Sequence, residues 1–211
     1  VLAISEQNNL FNAPETYMDK IAVGNDIPKD AVDLDYTLEK NIKNLADAKN
    51  TDLKNLTVCI LDRPRHLEII ENLKRLNVNL KLITDGDVSG ALLVSNNKYN
   101  VDLFLGIGGG PEGVLAACAL DALNCKFQGR FIFKTDNDIK RAKEMGIVDL
   151  KKKYNINEII KGDSIFCATG ITNGDLVNGI KIDQNNFISE TLVTHKSANL
   201  NKVVINKFQI S

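Results

Sequence analysis

The chain has 211 residues, 44% hydrophobic and 25% charged, the proportions of a globular protein with a sizeable core and unlike those of a disordered or fibrous chain. With 26 basic against 27 acidic residues the formal net charge is −1, and no long basic block supplies the attraction that draws proteins to nucleic acid or acidic lipid. No apolar run approaches the ~20 residues of a membrane-spanning helix and no secretory-signal pattern opens the chain, so cytoplasmic small-molecule chemistry is expected, with neither nucleic acid nor membrane as partner.

In chain order, Val1–Ser5 and Lys20–Val23 read as strands, and Leu38, Ile42 and Leu45 mark one face of a helix running to about Lys49. The run "LTVCIL" (Leu56–Leu61) reads as a buried strand; after Pro64, Leu67, Ile70, Leu73 and Leu76 recur at helical spacing. A strand at Leu80–Ile83 follows, then "DGDVSGALLV", a turn opening a short helix. Next come a strand at Val101–Leu105 and a helix from Pro111 to about Leu123. Strands joined in this way by crossover helices predict an α/β fold: a layered sandwich with a mostly parallel central sheet flanked by helices, built as one lobe over residues 1–211.

Downstream, Asp136–Met145 reads as a charged helix stopped at Gly146. "SIFCATG" reads as another buried strand, and Phe187–Thr194 and Val203–Phe208 as terminal strands. "KKKY" at Lys151 reads as solvated surface. The four cysteines, Cys59, Cys118, Cys125 and Cys167, stand singly in apolar runs and are expected to be reduced core thiols. No internal repeat is present.

In an open parallel sheet, ligands bind beyond the carboxyl ends of the strands, and three polar clusters fall there. In "DRPRH", Pro64 stiffens the backbone between Arg63 and Arg65, two planar cations suited to gripping a phosphate or simply solvated in a loop. In "DGD", Asp85 and Asp87 bracket Gly86. They could accept hydrogen bonds from sugar hydroxyls or bind a hard cation, or Asp87 could cap the next helix. In "GIGGGPEG", Gly108, Gly110 and Gly113 spell the G-x-G-x-x-G of dinucleotide sites. Glu112 conflicts with that fingerprint: a carboxylate in the first helical turn occupies the field that would hold a pyrophosphate. With a divalent cation between them, carboxylate and phosphate attract, since Glu oxygen suits Mg²⁺ or Mn²⁺; otherwise Glu112 only stabilises its helix. His66 is expected to pack or cap, His195 is given no role, and "ATGITNGDL" (Ala168–Leu176) reads as a turn-forming loop.

Together "NAPETYMDKIAVG", "LDRPRH", "DGDVSGALL", "GIGGGPEGV", "RAKEMGI" and "CATGITNGDL" resemble, over nearly the whole chain, the class II (GlpX-type) fructose-1,6-bisphosphatases of the lithium-sensitive sugar phosphatase superfamily. The resemblance implies Mn²⁺- or Mg²⁺-dependent hydrolysis of the 1-phosphate of fructose 1,6-bisphosphate in gluconeogenesis, by in-line attack of metal-activated water. Some relatives also accept sedoheptulose 1,7-bisphosphate, and a homo-oligomer is expected. By motif, Tyr17 would contact substrate and Arg63 and Arg65 would hold the uncleaved phosphate. Asp85 and Asp87 would take sugar hydroxyls, Gly109 would admit the ligand close to backbone, and Glu112 would ligate the metal.

Two local departures are Arg63, where the family usually has lysine, and "VTHKSANLNK", where relatives are arginine-rich. Relatives also carry an N-terminal acidic segment that supplies most metal ligands, and it has no counterpart before Val1. The chain is therefore expected to be the C-terminal, substrate-side lobe, inactive or nearly so alone. Two other readings stand beside this one: a non-catalytic sugar-phosphate-binding module, and a nicotinamide-dependent oxidoreductase with Asp136 as the acidic partner of the glycine fingerprint.

Overall fold

The computed structural model describes residues 1–209. In chain order the elements are β1 (Leu2–Ser5), β2 (Tyr17–Val23), α1 (Leu38–Lys49), β3 (Thr57–Leu61), α2 (Leu67–Arg75), β4 (Asn79–Ile83), α3 (Asp87–Leu92), β5 (Leu103–Gly109) and α4 (Gly110–Ala122). They continue with β6 (Lys126–Ile132), α5 (Asp136–Glu144), β7 (Lys153–Asn155), α6 (Ile156–Ile159), β8 (Ser164–Thr169), β9 (Lys181–Asp183), β10 (Asn186–His195) and β11 (Leu200–Gln209).

Local chemistry sets the helix ends. Thr37 accepts the Lys40 N–H at the start of α1, and Asn50 closes that helix in the left-handed region at φ 49°. At α5, Thr135 and Asp138 form a reciprocal capping box, and Gly146, at φ 83°, follows its end.

Two sheets form. The six-stranded one has the order β4-β3-β5-β2-β6-β7, and the other runs β1-β8-β10-β11 with β9 paired to β10. The expected mostly parallel sheet is not found. In the larger sheet only β3 pairs in parallel, with β4 and β5; β2 with β5, β2 with β6, and β6 with β7 are antiparallel, as is every pair of the smaller sheet. The cause is β2, which enters between β5 and β6 and runs against both. The crossover through α4 thus returns the chain one strand further out, not beside β5.

The layers follow from strand alternation. Ile21 and Val23 of β2, Val58 and Ile60 of β3, and Leu103 and Leu105 of β5 pack against Ile42 and Leu45 of α1 and Ile70 and Leu73 of α2. The opposite parity, with Met18, Ala22, Cys59, Phe104 and Phe127, packs on α3 and α4, whose far side meets Phe166 of β8 and Leu192 of β10. Helix α4 is apolar nearly all round, as a helix clasped between two sheets has to be.

Cys59, Cys118 and Cys125 are buried and Cys167 half-buried, all unpaired. Burial pushes the Cys59 and Cys125 thiols up to about 12, so they stay protonated. Of the "KKKY" lysines, Lys151 and Lys152 are exposed as expected, whereas Lys153 ion-pairs with Asp33 and Asp35 and ties β7 to the loop before α1.

Candidate functional site

The carboxyl ends of β3, β4, β5 and β6 share one edge of the larger sheet, and the antiparallel β2 brings its amino end there too: Tyr17 lies between Gly109 and Ile132. This register places Tyr17 beside the glycine run although 92 residues of sequence separate Tyr17 from Gly109.

The turn after β3 is gripped by β5. His66 is fully buried; its Nε2 accepts the Ile107 N–H at 2.8 Å, so the ring is neutral with its proton on Nδ1, which donates to the Leu61 carbonyl at 2.8 Å. Burial pulls its pKa below the ordinary value. Arg65 Nε donates to the carbonyl of the same Ile107 at 2.8 Å. Arg65 and His66 thus hold both polar groups of one residue of β5. The Arg65 guanidinium is 5.2 Å from the Tyr17 ring centroid, and Lys134 Nζ is 5.1 Å from it. Arg63 is half-buried, and its backbone ahead of Pro64 is extended, φ −136°, as expected.

The two aspartates after β4 diverge. Asp85 is exposed, accepts the adjacent Gly86 N–H at 2.9 Å, and lines a cavity of about 570 Å³ shared with Thr169 at the end of β8 and with Asn173 and Asp175 of the loop that follows. Asp87 turns inward to an ion pair with Lys20. The cap of α3 is Gly86, at φ 85°, with Asp87 already inside the helix, which overturns the reading of Asp87 as the N-cap.

The glycine run carries carboxylates. A Cβ on Gly108 would overlap the Asp87 carboxylate, and one on Gly109 would overlap the carboxylate of Glu112. Gly108 and Gly109 still belong to β5, so the strand is longer than its apolar run, and Glu112 lies exposed in the first turn of α4. Both gaps that would bring a pyrophosphate to the backbone are thus filled by negative charge. Asp136, the acidic partner required by the nicotinamide reading, lies exposed at the start of α5.

A cavity of about 590 Å³ opens where Tyr17, Gly109, Glu112, Lys134 and Thr135 converge. Its walls join Lys134, the Tyr17 ring and three carboxylates, Glu15, Glu112 and Asp138; the Arg65 guanidinium stands over the same ring without lining the cavity, and these two cations are the groups able to grip an anion. For a divalent cation the fit is incomplete. Among the described residues no group of three or more His, Cys, Asp or Glu is placed to hold a metal ion. Mn²⁺ or Mg²⁺ takes about six oxygen ligands, a few of them carboxylates, and Glu112 brings one.

Lys20 and Lys134 escape sequence reading. Lys20 occupies an inward position of β2, where a charge among Met18 and Ala22 is itself a signal. Lys134 depends on β6, whose "KFQGRFI" alternates with Phe127, Gly129 and Phe131 buried. Tyr17, Gly109, Glu112 and Arg65 come together at this edge; Asp85 faces another cavity.

The family described as bacterial fructose-1,6-bisphosphatase, glpX-encoded, matches residues 1–208. The chain is 39% identical over 206 residues to a D-fructose 1,6-bisphosphatase class 2/sedoheptulose 1,7-bisphosphatase of Synechococcus sp. (strain JA-2-3B'a(2-13)), covering 92% of this chain and 59% of that protein. It is 37% identical over 207 residues to a protein of the same name from Trichodesmium erythraeum (strain IMS101), again covering 92% of this chain and 59% of the relative. The chain therefore spans 59% of the length of these relatives. With the family match running from Val1 almost to the last residue and the identity to these relatives sustained over it, this chain belongs to the glpX-encoded bacterial fructose-1,6-bisphosphatase family.

Proposed function

We propose that this sheet edge binds a sugar bisphosphate and that the whole protein hydrolyses the 1-phosphate of fructose 1,6-bisphosphate, adding water across the P–O bond to release fructose 6-phosphate and phosphate. The observation that carries this reading is the convergence of Arg65 and Lys134 on the ring of Tyr17, at the rim of a cavity that Tyr17 and Lys134 line with Glu112 and Gly109. Sedoheptulose 1,7-bisphosphate, named in the relatives, is the second candidate substrate.

In this reading Arg65, with Arg63 behind it, holds the phosphate that is not cleaved, and the ring of Tyr17 packs against the substrate. Asp87 accepts a sugar hydroxyl at this edge, whereas Asp85 would accept one only from the neighbouring cavity that it lines with Asn173 and Asp175. Gly109, lacking a Cβ, leaves the room that the Glu112 carboxylate occupies, so the ligand expected there meets Glu112 before backbone, and Glu112 contributes one carboxylate to a Mn²⁺ or Mg²⁺ site whose other ligands lie outside the described residues. The chain is then the substrate-side lobe of a cytoplasmic, homo-oligomeric enzyme with the layered arrangement of the lithium-sensitive sugar phosphatases. Among the described residues no helix is long and apolar enough to cross a membrane.

Phosphate release from fructose 1,6-bisphosphate by the full-length protein tests the reading. Wild type is expected to turn over, and Arg65→Ala to raise KM by about tenfold or more, the worth of a charge-assisted contact. A wild-type protein that binds the sugar phosphate without releasing phosphate would favour the binding-module reading.

A further inference from the structure

Lys20 is the least expected side chain at this edge. It shares the inward face of β2 with Met18 and Ala22, beneath α3 and α4, and is 1% exposed. Its ammonium pairs with Asp87 Oδ2. Burial pulls its pKa down, Asp87 and Glu112 oppose that, and the charge of Arg65 adds to it. Removing an ammonium from water is expensive, and a buried ion pair seldom repays that in stability, because replacing both partners with apolar groups is often neutral or better. Stability alone therefore gives little reason for a lysine here.

Asp87 gives a better one. Its Oδ1 is buried with no hydrogen-bond partner among the described residues, although a carboxylate accepts several donors. The carboxylate also fills the space left by the missing Cβ of Gly108, next to the strand end that faces the ligand. The group is thus anchored through one oxygen and left short of a donor at the other.

We propose that Lys20 is a positioning residue: through Oδ2 it holds the Asp87 carboxylate in place at the sheet edge with an acceptor still unsatisfied, so that a small turn of the carboxylate lets a hydroxyl of a sugar phosphate complete the set. This rests on the proposed function, which supplies the hydroxyl-bearing ligand. Lys20 touches no reacting atom in this scheme, and its effect passes entirely through Asp87.

The test is calorimetric binding of fructose 6-phosphate and of inorganic phosphate to the full-length protein. Lys20→Met is expected to weaken fructose 6-phosphate by about ten- to a hundredfold, the range for losing a hydrogen bond to a charged group, and to leave inorganic phosphate, which carries no sugar hydroxyl, within about threefold. Lys20→Met/Asp87→Asn removes both charges and is expected to bind no worse than Asp87→Asn alone. Equal weakening of both ligands, undiminished fructose 6-phosphate binding, or losses that multiply in the double variant would overturn the proposal. If Lys20→Met does not fold, the comparison of the double variant with Asp87→Asn decides. A wild type that binds fructose 6-phosphate selectively yet releases no phosphate from the bisphosphate would overturn the reaction assigned above and leave the role of Lys20 standing.

Discussion

At the scale of single residues, the glycine run is where a familiar pattern and its chemistry part. Gly108 and Gly109 make room for the carboxylates of Asp87 and Glu112, so the fingerprint marks a close approach, but of acids and not of a dinucleotide. Gly109→Ala is expected to fold, because the overlapping group is the end of an exposed side chain, yet to lower kcat by roughly a hundredfold through displacement of Glu112. Parallel denaturant melts and turnover assays check this; equal turnover would contradict it. His66 gives a pH prediction at the same scale. Its folded pKa lies below the ordinary 6.5, so the unfolded chain binds the proton first. The contribution of the neutral ring is full above pH 6.5 and is lost as pH falls through the folded value. Wild type should therefore lose more stability than His66→Gln between about pH 7 and about pH 5, measured by urea unfolding.

At the scale of elements, α1, α2, α4 and α5 were legible because their periodicity and caps are local, and the structure places each within a residue or two of the expected bounds. β6 was not, since Gly129 keeps the buried phase but supplies no apolar side chain to mark it, and with it went Lys134. The position of β2 was not legible either: a strand inserted between β5 and β6 is a long-range pairing that no local pattern records. Tyr17 could be reached only through the family resemblance, whereas Arg63, Arg65, Asp85, Asp87 and Glu112 stood at strand ends that the sequence marks. The capping box of α5 bears on the site directly, because Asp138 accepts the N–H groups of Lys134 and Thr135. Thr135→Ala should cost about 1 kcal/mol and also weaken anion binding by freeing Lys134. A loss of stability with unaltered phosphate affinity would separate the two.

At the scale of the whole molecule, α4 joins both sheets. Ala116, Ala117 and Ala119 are buried along it, and small residues let the two sheets close on one helix. Ala117→Leu should destabilise by about 1–3 kcal/mol through overpacking, and the smaller sheet should unfold together with the larger, seen as coincident transitions by fluorescence and circular dichroism. This clasp also fixes the first turn of α4, and so Glu112, against the end of β5. The account as a whole depends on that edge being the place where a sugar bisphosphate meets Glu112. Inorganic phosphate release from fructose 1,6-bisphosphate, measured for the full-length protein and its Glu112→Gln variant, tests it most directly. The account predicts turnover in the wild type and a loss of a hundredfold or more, roughly, in the variant; equal turnover in the two would contradict it.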